Sequence, residues 1–251
     1  MLGAPLVVML DVDGTLAPIV SRPEDAVVPA DTRRALAALA RTPHVHVALV
    51  SGRAAVDAQR LVGVTGIWTI GNHGCEVVDP AGRVTVNPLT EPYREHMASA
   101  VREIAASTAR EPGVLVEDKR WSVSIHYRLA APNAVARVRS AVEAAAHSHG
   151  LRLTGGKLIF DLRAPVAVDK GTAVLHLAEQ LGALETSASL FFAGDDVTDE
   201  DAFRALRRRA PHAVTLRVAD DDAAPTSAEF MARDPAAVRD ILRWLAALRA
   251  A

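Results

Sequence analysis

Residues 7–10, Val-Val-Met-Leu, are apolar without a break. Two acids, Asp11 and Asp13, follow at once, with Gly14 behind them. A run of this kind reads as a strand buried on both faces, the condition of a parallel sheet covered by helices. Carboxylates at the end of such a strand are costly unless something there uses them. In open parallel sheets ligands bind at the carboxyl ends of the strands. Asp and Gly are also ordinary turn residues, so this segment alone reads equally well as a surface turn.

The remaining order of elements extends the pattern. Pro29 to Thr42 reads as a helix with Asp31 near its cap and an Ala/Leu stripe. His44 to Arg53 is a second strand ending in a polar turn at Ser51 and Gly52. Ala54 to Gly63 is a helix closed by its glycine. Residues 66–74 form a third strand and loop, and 75–88 a hairpin turning at Pro80 to Gly82. The rhythm then changes. Glu91–Arg110 and Pro132–Gly150 read as helices, and each is followed by two short alternating strands: "GVLVEDK" with "WSVSIHYR", then "LRLTGG" with "KLIFDLR". A helix–strand–strand unit repeated twice predicts a small α+β domain with an antiparallel sheet. From Lys170 onward helix and strand alternate again, ending in a helix from Pro235 to Arg249. The expectation is an α/β parallel-sheet core from residues 1–89 and 165–251, interrupted by an inserted domain at 90–164.

Composition narrows the partners. The 251 residues are half hydrophobic, with a formal net charge of −2. That balance makes no electrostatic case for nucleic acid or an anionic membrane, and no apolar run approaches a membrane span. The N-terminus shows neither a basic region nor a small-residue cleavage site. Cys75 is the only cysteine, which fits a reducing cytoplasm. A cytoplasmic monomer acting on a small molecule is the expectation. The only lysines are Lys119, Lys157 and Lys170 in a chain whose other cations are arginines. A compact ammonium at these places points to a need for that head group.

Four polar pieces end core strands or begin core helices: Asp11-x-Asp13-Gly14-Thr15, Ser51-Gly52-Arg53, Lys170-Gly171, and Gly194-Asp195-Asp196 with Thr198, Asp199 and Glu200. Adjacent parallel strands would gather them on one sheet edge. Hard carboxylate oxygens suit Mg²⁺. A lysine, a hydroxyl and turn N–H groups suit a phosphate. A carboxylate can attack phosphorus, and a second can serve as general acid and base. In this order, "DVDGT", "SGR", "DKG" and "GDDVTDEDAF" resemble the haloacid dehalogenase-like phosphatases. The resemblance implies Asp11 as nucleophile and Asp13 as acid/base. It also implies Mg²⁺ held by Asp11, the carbonyl of Asp13 and Asp195, with Asp196 acting through water, and phosphate held by Ser51, Gly52 and Lys170.

The predicted insert carries a second pattern. In "WSVSIHYR", Ser122, Ser124, His126 and Arg128 fall on one face and Trp121, Val123, Ile125 and Tyr127 on the other. In "KLIFDLR", Lys157, Asp161 and Arg163 oppose Leu158, Phe160 and Leu162, and Glu117 aligns with Lys119. A solvated sheet face would look similar, but acids and bases mixed on one surface also suit polyhydroxyl recognition. The motifs Glu117-x-Lys119-x-x-Ser122-x-x-x-His126-x-Arg128, Gly156-Lys157 with Arg163, and Gly71-Asn72-His73-Gly74 resemble the trehalose-6-phosphate phosphatases. The resemblance implies a cap that closes over the core and grips the sugar through Glu117, Lys119 and a later acid. That later position is Asp161 here, where the family usually has Glu. Arg53, Asn72 and His73 join the expected substrate-binding set. The expected activity is Mg²⁺-dependent hydrolysis of trehalose 6-phosphate through an aspartyl phosphate. Two alternatives stand beside it: a phosphatase for a trehalose-like pseudo-disaccharide phosphate such as validoxylamine 7'-phosphate, and a non-catalytic sugar-phosphate sensor. Trp68 and Trp244 read as core, Cys75 as a small packed side chain, and Glu76 as either a site or a hairpin residue.

Overall fold

The computed structural model describes residues 3–156, 158–220 and 225–250. The chain divides into two units, Met1–Thr85 with Val168–Ala251, and Val86–Ala167. The first unit begins with β1 (Leu6–Leu10), α1 (Ala30–Ala40), β2 (Val45–Val50), α2 (Ala55–Val62), β3 (Trp68–Gly71), β4 (Glu76–Val78) and β5 (Val84–Val86). The second holds α3 (Arg94–Thr108), β6 (Leu115–Asp118), β7 (Ser122–His126), α4 (Pro132–Ser148), β8 (Arg152–Gly156) and β9 (Ile159–Arg163). The first unit then resumes with α5 (Lys170–Gln180), β10 (Ser189–Gly194), α6 (Asp199–Arg209), β11 (Val214–Val218), β12 (Phe230–Ala232) and α7 (Pro235–Ala250).

The large sheet runs β12-β11-β10-β1-β2-β3-β4-β5. It is parallel from β12 to β3 and turns antiparallel at β4. β1 lies at its centre, and all five of its residues are buried. Leu6, Val8 and Leu10 pack with Leu36 and Leu39 of α1 and with Val238 and Leu242 of α7. Val7 and Met9 pack on the opposite side with Val174 and Leu177 of α5 and Phe203 and Leu206 of α6. Two apolar faces explain the unbroken apolar run. Each such side chain contributes about 1.5–3 kcal/mol of transfer free energy when fully buried.

In the second unit the sheet order is β6-β7-β9-β8, all antiparallel. Val123, Ile125, Phe160 and Leu162 form one face against Met97 and Ile104 of α3 and Val138 and Val142 of α4. On the other face the register aligns Glu117 with Ser124 and Ser124 with Asp161 in one row.

Several expectations are corrected. Leu158 has φ 64° and is exposed, because it belongs to the tight turn between β8 and β9 rather than to the apolar face. Arg128 lies beyond the end of β7 in an exposed turn, so strand alternation does not align it with His126. Trp244 is 59% exposed on α7 rather than core. The helix expected from Glu91 starts as a 3₁₀ turn and becomes α-helical at Arg94. Asp31 does not cap α1; it lies in the first turn and pairs with Arg34. β12 was not anticipated at all.

Candidate active site

β10, β1 and β2 are neighbours, with Leu10 level with Ala193 on one side and Leu49 on the other. The parallel ladder therefore delivers Asp11, Ser51 and Asp195 to one edge. A fourth group comes from a helix start. Asp169 caps α5 by accepting from the Thr172 N–H, and the Thr172 hydroxyl accepts from the Asp169 N–H. This capping box fixes Lys170 as the first helical residue. A cation there opposes the helix dipole, and Lys170 is only 2% exposed. Its position is explained by its partners. Nζ donates to Asp11 Oδ1 at 2.7 Å and to Asp199 Oδ1 at 2.8 Å. The other oxygen of Asp199 accepts from the backbone N–H groups of Asp195 and Asp196, at 3.1 and 3.0 Å. Asp199 thus holds the ammonium with one oxygen and shapes the acidic loop with the other.

The electrostatics show an excess of buried negative charge. Burial pushes Asp11 well above the ordinary carboxylate range; Lys170 opposes the shift, and Asp199 and Asp195 add to it. Burial, and then Asp199, push Asp195 up to about 7, again against Lys170. Asp199 is raised by burial, with Lys170 opposing. Burial works against the charge on Lys170, yet Asp11 and Asp199 outweigh it and hold the amine above its ordinary range. One lysine does not balance three acids. Asp11, Asp195 and Asp199 each offer an oxygen within 4.8 Å of the others. The buried Oδ1 of Asp195 has no hydrogen-bond partner among the described residues. A hard cation fits this all-oxygen donor set. Gly14 makes the approach possible: its φ is +85°, and a Cβ there would stand 2.1 Å from Asp195 Oδ2.

The turn after β2 completes the edge. Ser51 Oγ accepts from the Arg53 N–H at 3.1 Å, so its own proton can turn to a ligand. A Cβ on Gly52 would lie 2.5 Å from Cε1 and Nε2 of the His73 ring, so any side chain there would displace that ring. Buried Glu76 accepts from the Ala55 N–H and from Asn72 Nδ2, both at 2.8 Å, and ties this turn to the loop after β3. Arg53, expected to bind substrate, has its guanidinium on the Asp13 carboxylate.

In the second unit Glu117 accepts from His126 Nε2 at 2.9 Å and lies 3.6 Å from Lys119 Nζ. Asp161 accepts from the Ser124 hydroxyl and, at 3.2 Å, from Arg163. Ser122 and Ser124 are buried. Lys157 lies outside the described residues.

The structure brings together Asp11, Asp13, Ser51, Gly52, Arg53, Asn72, His73, Lys170 and Asp195 in one unit, with Asp196 exposed at the margin. Glu117, Lys119, Ser122, His126, Asp161 and Arg163 gather in the other, and Arg128 stands apart from them in its turn. Sequence reasoning placed Asp199 in the last polar piece but gave it no role. The signal was the third acid of "GDDVTD", which reads as a helix N-terminus until Lys170 is placed beside it.

A parallel sheet with buried acids at the carboxyl ends of adjacent strands, and an α+β unit inserted in the chain, has the architecture of a haloacid dehalogenase-like protein. The chain belongs to the trehalose-phosphatase family, whose model matches residues 9–236. It is 40% identical over 203 residues to an uncharacterized glycosyl hydrolase of Mycobacterium tuberculosis, which covers 80% of this chain and 15% of that protein. It is 37% identical over 243 residues to a trehalose-phosphate phosphatase of the same organism, over 95% of this chain and 61% of that one. The chain thus spans less than two thirds of these curated relatives. A solved structure of a trehalose-6-phosphate phosphatase related protein superposes with a TM-score of 0.84 at 26% identity, over 96% of this chain and 97% of that one.

Proposed function

We propose that the protein is a phosphoric monoester hydrolase that converts trehalose 6-phosphate to trehalose and phosphate. The observation that carries the reading is the buried Lys170 bridging Asp11 and Asp199 beside the under-bonded Asp195. Lys170 has three protons and spends two on these acids, leaving one for a phosphate oxygen. The Ser51 hydroxyl and the N–H groups of its turn hold the others. The Asp11 carboxylate attacks phosphorus as the bond to the sugar oxygen breaks, and Asp13 delivers a proton to that departing oxygen. Asp13 then takes a proton from the water that attacks the phosphoryl-aspartate, which frees phosphate and restores Asp11. Asp11, the Asp13 carbonyl and Asp195 would hold Mg²⁺, with Asp196 assisting, and the ion would supply charge neutralisation on the phosphoryl oxygens.

The insert at 90–164 serves as the specificity domain, with Glu117, Lys119, Ser122, His126, Lys157, Asp161 and Arg163 recognising the sugar hydroxyls. The test is phosphate release from trehalose 6-phosphate, a pseudo-disaccharide phosphate, sucrose 6-phosphate and glucose 6-phosphate, with Mg²⁺ and with chelator. Trehalose 6-phosphate is expected to have the highest kcat/KM, lost with chelator, and Asp11→Asn to fall to background. A better substrate in the panel overturns the substrate assignment. Undiminished turnover by Asp11→Asn overturns the mechanism.

A further inference from the structure

Arg53 grips Asp13 at both oxygens. Its Nε donates to Oδ2 at 2.6 Å and its Nη2 to Oδ1 at 2.7 Å. The same Nη2 donates to the Pro23 carbonyl at 2.9 Å. The fork therefore joins three segments of the first unit: the loop after β1, the turn after β2, and the 3₁₀ turn at Pro23–Asp25. The Arg53 side chain is 14% exposed and that of Asp13 40%, so the guanidinium lies inward of the carboxylate it holds.

We propose that Arg53 is a positioning residue that sets the orientation of Asp13 for its two proton transfers, and that it does not bind substrate. The inference rests on the acid/base reading of Asp13. Asp13 stands three residues beyond the end of β1, so the ladder does not orient its side chain. A planar fork engaging both oxygens fixes the plane of the carboxylate, which a lysine's point charge would not do. Each oxygen keeps a second lone pair, so the grip does not use up the capacity of Asp13 to accept or deliver a proton. The Pro23 carbonyl fixes the guanidinium from a third direction. Misplacing a reacting group by about 1 Å costs on the order of 10²-fold in rate, and that is the scale at which such a clamp acts.

A double-mutant cycle tests this with full-length protein, trehalose 6-phosphate and Mg²⁺. Arg53→Ala is expected to lower kcat by roughly 10- to 100-fold with KM within about threefold. In an Asp13→Asn background the same change is expected to cost less than about twofold, because the residue it positions has no acid/base function left. Arg53→Lys, which keeps the charge and loses the fork, is expected to stay within about threefold of Arg53→Ala. Should Arg53→Ala fail to fold in a thermal melt, Arg53→Lys carries the same cycle. A loss expressed mainly in KM overturns the inference, as does a full multiplicative loss on top of a slow Asp13→Asn. Those results leave the acid/base role of Asp13 standing. Wild-type turnover by Asp13→Asn alone overturns that role and this inference with it.

Discussion

Asp195 concentrates the unbalanced charge of the edge, and its titration has two measurable consequences. Its value of about 7 lies above the ordinary 3.8, so the metal-free folded protein binds a proton there that the unfolded chain has released. Between about pH 4 and 7 the folded state holds more protons, and its stability falls as pH rises through that window. A cation must displace that proton to use the carboxylate. Mg²⁺ affinity is therefore expected to weaken by up to about tenfold per pH unit below 7, with proton release on binding. Calorimetry at pH 6 and 8 in buffers of different ionisation enthalpy measures both. Asp195→Asn is expected to raise the melting temperature of metal-free protein at pH 8 and to remove the stabilisation Mg²⁺ gives the parent. A pH-independent affinity would mean that Asp195 is already ionised without metal.

At the scale of elements, what was legible depended on periodicity. The run Val7 to Leu10 announced a central strand because helices cover both faces, and the alternation in "WSVSIHYR" placed Val123 and Ile125 in the core of their unit. β12 was not legible. It has three residues, Phe230 and Met231 are exposed, and so short a piece has no period to read. Leu158 and Arg128 failed for a related reason, since alternation holds only inside a strand and both lie past an end. The loop after β1 allows a sharp test. Gly14→Ala forces a side chain onto Asp195 and a strained φ onto alanine. We expect Mg²⁺ affinity and kcat to fall at least tenfold while the melt remains cooperative; unchanged metal binding would show that the two loops separate easily.

At the scale of the molecule, the acids, the hydroxyl and the lysine of the candidate site were readable because parallel strands must deliver their ends to one edge. The hold of Asp199 on Lys170 and of Arg53 on Asp13 was not, because no spacing rule relates residues 29 or 40 apart in sequence. The two units predict separable defects. Glu117→Ala and Lys119→Ala are expected to lower kcat/KM for trehalose 6-phosphate at least tenfold and for a small aryl phosphate less than about threefold. Equal losses on both substrates would assign these residues to folding or to the chemistry. The position of β1 has a further consequence, for the chain as it is made. β1 leaves a ribosome well before its partner β10, which begins at Ser189. Synthesis proceeds at about 5–20 residues per second, so the central strand waits several seconds or more with one side open. The Val86–Ala167 unit is contiguous and has all of its own strands well before then. The insertion is thus complete before the sheet that flanks it in sequence. Until Lys170 and then Asp195 and Asp199 are out, Asp11 lacks its lysine clasp and the acids that face it, and a prematurely ended chain carries the proposed nucleophile without the groups that surround it.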